Sequence, residues 1–360
     1  MASPRQAAGR TAARLLTAYR ASGADLPFGN LLSAHDVAME GYFWRFSDPG
    51  SGRVLIALNG VNRGPAHGDG DPHWATLGLA AHPTGFLRTT AHHVGEAAAR
   101  GLGAFAGDAF HGTERALRVD LGDDARLDVD VVDPVRWPRR MLGGSSVFQA
   151  APALNQYWHP WLLGGRAHGR AVVGDSTWDL DGWDVYAEKN WGRGGFPDSW
   201  WWGQAHGFAD RDVCVAFAGG DVHVGPLRTR VTALVVLLPG GRLVRLGDPV
   251  VSPVRAEVSD EHWLLRGRSP QWQVDVEGHG ALGAAHVLPV PVPAERRNTP
   301  GAIEHLGASM RVRVRRWGRP LWQGESTVAA LEHGGIERAR AEILRRGGDH
   351  DSVDAPPVDR

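Results

Sequence analysis

Gly41-Tyr-Phe-Trp-Arg-Phe-Ser-Asp48 runs through a Gly-bearing turn into Val54-Leu-Ile-Ala-Leu-Asn-Gly60. Far downstream, Trp202-Gly-Gln-Ala-His-Gly-Phe-Ala-Asp210 runs into Val213-Cys-Val-Ala-Phe-Ala-Gly219. Each reads as an aromatic strand, a Phe-x-Asp turn and an apolar strand ending in Gly. The closing ends also match: Trp178 and Trp183 precede Glu188 and Gly192, as Trp317 and Trp322 precede Glu332 and Gly334. A repeat of this length predicts tandem copies of one β-unit. The expected division is an N-terminal helical extension over 1–29, β domains over 30–192 and 193–346, and a disordered tail over 347–360.

Strand signals elsewhere agree. Leu127, Val129 and Val131 alternate with Asp128 and Asp130, and Val312 and Val314 with Arg311, Arg313 and Arg315. One face turns inward and the other meets water. Short strands at regular spacing with Gly, Pro, Asp and Asn turns predict an all-β chain of antiparallel barrels or sandwiches. A short helix is expected from Ile336 to Arg346.

Composition narrows the function classes. The 360 residues are 42% apolar and 22% charged, which suits a packed globular chain. A net charge of −1 offers no field for nucleic acid. The single cysteine, Cys214, excludes an internal disulfide framework and fits a reducing cytoplasm. The sequence carries no His-Glu-x-x-His motif, no phosphate-cradling glycine loop and no Gly-x-Ser-x-Gly elbow. No metal or cofactor is therefore expected.

Two biases point to chemistry. The chain holds 15 Trp but only 4 Tyr, and many of the Trp cluster between Trp158 and Trp202. Indole is a large amphipathic surface that can also face a cation. Lys189 is the only lysine among 39 basic residues, and it sits in Tyr186-Ala-Glu-Lys-Asn-Trp-Gly192 at the junction of the two repeats. Strand alternation would put Trp200, Trp202, Gln204 and His206 on one wall. His159, in Asn155-Gln-Tyr-Trp-His-Pro-Trp161, could relay a proton near neutral pH. In an apolar barrel mouth the Glu40 carboxyl would rise in pKa and become an acid; a rim position paired with Arg45 is the alternative. His92 and His93, being adjacent, are expected on opposite strand faces.

Tyr186-Ala-Glu-Lys-Asn-Trp-Gly192, Gly195-Phe-Pro197 and Trp200-Trp-Trp-Gly-Gln204 resemble the signature segment of the tocopherol cyclase family. Met39-Glu-Gly-Tyr-Phe-Trp-Arg45, Trp158 with Gly164-Gly165, and Ser326 to Gly335 fit its pattern over about residues 35 to 335. The resemblance implies two tandem lipocalin-like β-barrels and cofactor-independent cyclisation of a prenylated aromatic or isoprenoid substrate. An isoprenoid hydratase and a non-catalytic carrier of apolar ligands are the alternatives. It assigns Glu188 or Glu40 as proton donor. Lys189 and Asn190 would orient a phenol, and Trp158, Trp191, Trp200 and Trp202 would line the prenyl channel. Gln204, His206 and His159 would be polar anchors. The partner expected is a hydrophobic small molecule met in the cytoplasm, compatible with peripheral membrane contact and requiring no obligate protein partner.

Overall fold

A computed structural model describes residues 14–29, 31, 34–64 and 73–348. The start of the N-terminal extension and the end of the expected tail lie outside these residues, while residues 14–20 are helical. The first sheet contains β1 (Met39–Asp48), β2 (Arg53–Arg63), β3 (His73–His82), β4 (Phe86–His92), β5 (Glu96–Ala97) and β6 (Gly103–Ala106). It continues with β7 (Phe110–Thr113), β8 (Ala116–Asp120), β9 (Ala125–Arg136), β10 (Tyr157–Val173), β11 (Ser176–Asp179) and β12 (Asp184–Gly192). The second contains β13 (Trp200–Ala205), β14 (Cys214–Val224), β15 (Leu227–Leu238), β16 (Arg242–Leu246) and β17 (Val254–Val258). It is completed by β18 (His262–Arg268), β19 (Trp272–His279), β20 (His286–Val292), β21 (Arg297–Arg316) and β22 (Arg319–Gly334), before helix α1 (Ile336–Arg345).

The ladders between these strands are antiparallel, and the two sheets repeat one order. The first runs β4-β3-β2-β1-β12-β10-β9-β8-β7-β6-β5, and the second β16-β15-β14-β13-β22-β21-β19-β18-β17. Thus β1 and β13 occupy equivalent places, as do β12 and β22. Each sheet curls over its own core: Tyr42, Trp44, Phe46, Ala187 and Trp191 belong to one, and Trp201, Phe217, Trp263 and Leu331 to the other. The outer strands show the expected alternation, with Leu127, Val129 and Val131 buried between exposed Arg126, Asp128 and Asp130.

The central strands bury both faces, because a third core lies between the sheets. Val54, Ile56, Tyr186 and Trp158 meet Trp200, Trp202, Leu237 and Val328 there. That double burial explains why β1 and β13 lack polar-out alternation. Arg45 spans the junction, donating from Nη1 to Gln204 Oε1 at 2.7 Å and from Nη2 to the Val328 carbonyl. Burial lowers its pKa to about 10. His92 and His93 stack at 4.5 Å instead of pointing apart, since β4 ends at His92 and frees the next residue from the pleat.

Candidate active site

Residues of both sheets line a cavity of about 690 Å³. Trp158, Trp200, Trp202, Phe43, Glu188 and Asn190 are among its walls. Alternation along β12 decides which of its residues reach this space. Tyr186, Glu188 and Asn190 face the second sheet, whereas Ala187, Lys189 and Trp191 face the first core.

Glu188 is held by one oxygen. Oε2 accepts from Tyr186 OH at 2.5 Å, Trp158 Nε1 at 2.8 Å and Trp202 Nε1 at 2.7 Å. Among the described residues none donates to Oε1, the atom left for a proton. Burial pushes the carboxyl up and the three donors pull it back, leaving it at about 7. An indole supplied by the second sheet thus helps fix an acid on the first. Trp202→Phe removes one charge-assisted donor, so the Glu188 pKa should rise by about one unit or more. The alkaline limb of the pH–rate profile should move up with it, and an unmoved limb would detach that limb from Glu188.

A second carboxyl lies at the corresponding register. Glu188 is opposite Phe43 on β1, and Glu332 is opposite Trp202 on β13. Glu332 lines the cavity and accepts from Trp200 Nε1. Burial raises it to about 7 despite that bond. Its cross-strand neighbour Glu304 is 1% exposed, and no N–H among the described residues reaches its oxygens. Burial and the adjacent Glu332 charge hold Glu304 well above the usual carboxylate range. A proton on Glu304 donated to Glu332 satisfies both groups. Tyr186 and Glu304 were not singled out from the sequence, Arg45 only as an alternative partner for Glu40, and Glu332 was visible only as the repeat partner of Glu188.

Other expected site residues lie elsewhere. Glu40 is fully buried but not in an apolar mouth: its oxygens meet Lys189 Nζ at 2.5 Å, Arg63 Nη1 at 2.7 Å and the His35 and Asp36 amides at 3.0 Å. Burial works against its charge, but Lys189 and the other partners prevail and hold its pKa well below the ordinary value. This corrects both expectations for Glu40, the raised acid and the Arg45 pair. Lys189 contacts His35 Nδ1 at 2.9 Å as well, so it belongs to this ion network on the face turned away from Glu188. Trp191 stacks on His35 and Tyr157 and donates to the Gly23 carbonyl, again outside the cavity.

His159 accepts from the Gly144 amide through Nδ1 at 3.1 Å, and burial drives its pKa to about 3. It remains neutral and does not supply the expected relay near pH 7. Gln204 is occupied with Arg45 and Cys214, and His206 with the Leu163 carbonyl. These two brace the sheet junction without lining the cavity. Among the described residues no group of His, Cys, Asp and Glu gathers to hold a metal ion, and no helix is long and apolar enough to cross a membrane.

Fold and site together define an all-β protein with two matching sheets and a buried, indole-held carboxyl in an apolar cavity. The chain belongs to the tocopherol cyclase-like family, whose model matches residues 119–335. A probable chloroplastic tocopherol cyclase from Oryza sativa subsp. japonica is 26% identical over 203 residues, 52% of this chain and 41% of that protein. The aligned region thus spans less than half of that relative's length. Kievitone hydratase from Nectria haematococca is similar at a TM-score of 0.49 and 11% identity, covering 82% of this chain and 88% of the other. A putative AttH from Nitrosomonas europaea gives 0.43 and 12%, covering 84% and 94% respectively.

Proposed function

We propose that the protein is an acid-catalysed cyclase of a prenylated aromatic or related isoprenoid, with Glu188 as the proton donor. The observation that carries this reading is the Glu188 carboxyl, buried in an indole-lined cavity with three donors on Oε2 and Oε1 left open. Alkenes are weak bases, so the acid must stay protonated near neutrality and away from bulk water.

The Oε1 proton adds to the less substituted alkene carbon, using the π pair and leaving a tertiary cation. A phenol oxygen lone pair closes the carbon–oxygen bond, and the phenol proton passes to a carboxylate in the cavity. No atom is gained or lost. The faces of Trp158, Trp200 and Trp202 would stabilise the cation, by about 2 kcal/mol or more per ring when desolvated. Glu332, which lines the cavity from the second sheet, would receive the phenol proton.

The test is turnover of a prenylated hydroquinone in deuterated water. A product isobaric with the fully exchanged substrate is expected, in which one of the two deuterons is now carbon-bound and survives back-exchange into light water. A product heavier by one water selects the hydratase, and tight binding without turnover selects the carrier. The rate should fall as pH rises through about 7, because only protonated Glu188 is competent. A rate that climbs through that range excludes a carboxylic acid donor.

A further inference from the structure

Asn190, Gly41, Gly60 and Thr76 form one cross-strand row over β12, β1, β2 and β3, and all four line the cavity. The two glycines leave a shallow trough between an amide and a hydroxyl. They are glycines for different reasons. A Cβ on Gly41 would stand 2.4 Å from Asn190 Oδ1, so packing alone explains that residue. A Cβ on Gly60 would meet nothing closer than Thr76 Cβ at 3.5 Å, with Thr76 Oγ1 at 3.8 Å and Asn62 Oδ1 at 3.9 Å. The fold therefore has room for a side chain at 60, and the strand keeps none. Glycine inside a strand often marks the close approach of a ligand.

Among the described residues, the polar atoms around that space are incompletely used. Asn62 is fully buried; its Nδ2 donates to the Gly60 carbonyl and to Thr76 Oγ1, but its Oδ1 has no partner. Asn190 Oδ1 is buried and unpartnered as well. Thr76 Oγ1 donates to Asn298 Oδ1 at 2.5 Å, while Asn298 Nδ2 has no partner. Buried polar atoms normally find partners, and the unpaired ones around this trough suit a molecule that supplies them. Asn62 and Asn190 each offer an acceptor and Asn298 a donor, so a fitting molecule chiefly donates.

We infer that this row is the seat of the ligand's head, a flat uncharged ring whose hydroxyl groups donate to the Asn190 and Asn62 amide oxygens over Gly60. The inference rests on the cavity being the substrate site. It places the ring about 7 Å along β12 from Glu188, two residues away, with the apolar chain running toward Trp158 and Trp202. The polar side chains around the seat are amides and a hydroxyl, which suit a neutral phenol and not a carboxylate or phosphate.

The test measures binding alone, by quenching of tryptophan fluorescence with geranylhydroquinone and with geranylbenzene, which lacks the hydroxyls. The wild-type protein should bind the hydroquinone at least tenfold more tightly. Gly60→Ala, whose methyl the fold accommodates, should cut that preference several-fold, and Gly60→Val should abolish it, with geranylbenzene affinity unchanged. Thermal unfolding of Gly60→Ala should match wild type, showing that the loss is not misfolding. Equal binding of both probes by the wild type overturns the inference, as does a preference that survives Gly60→Val. Turnover is not read, so failure of Glu188 as the acid would leave this result standing, and the reverse.

Discussion

Glu188→Gln should lower turnover by roughly 10²–10⁴-fold, the range that a positioned general acid supplies, while ligand binding survives. The substitution is close to isosteric. A glutamine oxygen can still accept from Tyr186, Trp158 and Trp202, and its amide takes the place of the open oxygen. Only the transferable proton is lost. Stability should move the other way. The carboxyl titrates at about 7 in the fold against 4.5 as the reference value. Below 4.5 both states are protonated and the variant differs little. Between 4.5 and 7 the unfolded chain releases its proton and the folded chain keeps it, so wild-type stability falls as pH rises. Above 7 the decrement reaches about 3 kcal/mol and stays there. Glu188→Gln should therefore be more stable than wild type by that order at pH 8 and equal to it at pH 4, read by denaturant titration. Unchanged turnover would remove Glu188 from the chemistry, and a variant less stable at pH 8 would contradict its charge cost.

The second large effect concerns the other face of the same strand. Lys189→Met should destabilise the fold by about 3–5 kcal/mol, because Glu40 loses its closest counter-ion while fully buried. Arg63 and two amides remain, which places the expected cost toward the lower figure. Pairing Lys189→Met with Glu40→Leu should recover most of the loss, since the uncompensated charge disappears with its partner. Folded Lys189→Met protein should keep the wild-type pH limb and substrate affinity, as Nζ points away from the cavity. A raised KM with intact stability would return Lys189 to the substrate.

Much of this division was legible in the sequence. Adjacent strand residues face opposite ways, so the Glu188–Lys189 pair could be separated on alternation alone, and the same rule grouped Trp200 with Trp202. The repeat exposed the duplicated strand order and, through Glu332, a second carboxyl. The partners of Glu40 were not legible. His35 and Arg63 come from separate segments, and only their convergence turns a candidate acid into a fixed anion. The expected role of His159 failed for a similar reason: the loop expected there is the start of β10, whose pairing buries the ring and keeps it neutral. Glu304 gave no signal because its meaning depends on the cross-strand register with Glu332.

Arg45 on β1 and Gln204 on β13 project from equivalent strands and grasp each other across the junction. Such handshakes between like positions are the mark of a twofold contact between identical subunits. Two sheets of one strand order thus meet within a single chain in the way two subunits meet across a twofold axis. The connection after Gly192 contributes Phe196 and Pro197 to the cavity wall, so the tether is also part of the chamber. Being carried on one chain, the two sheets need not be identical: one keeps a carboxyl clasped by two indoles and a phenol, while the other sets its own beside a neighbouring acid.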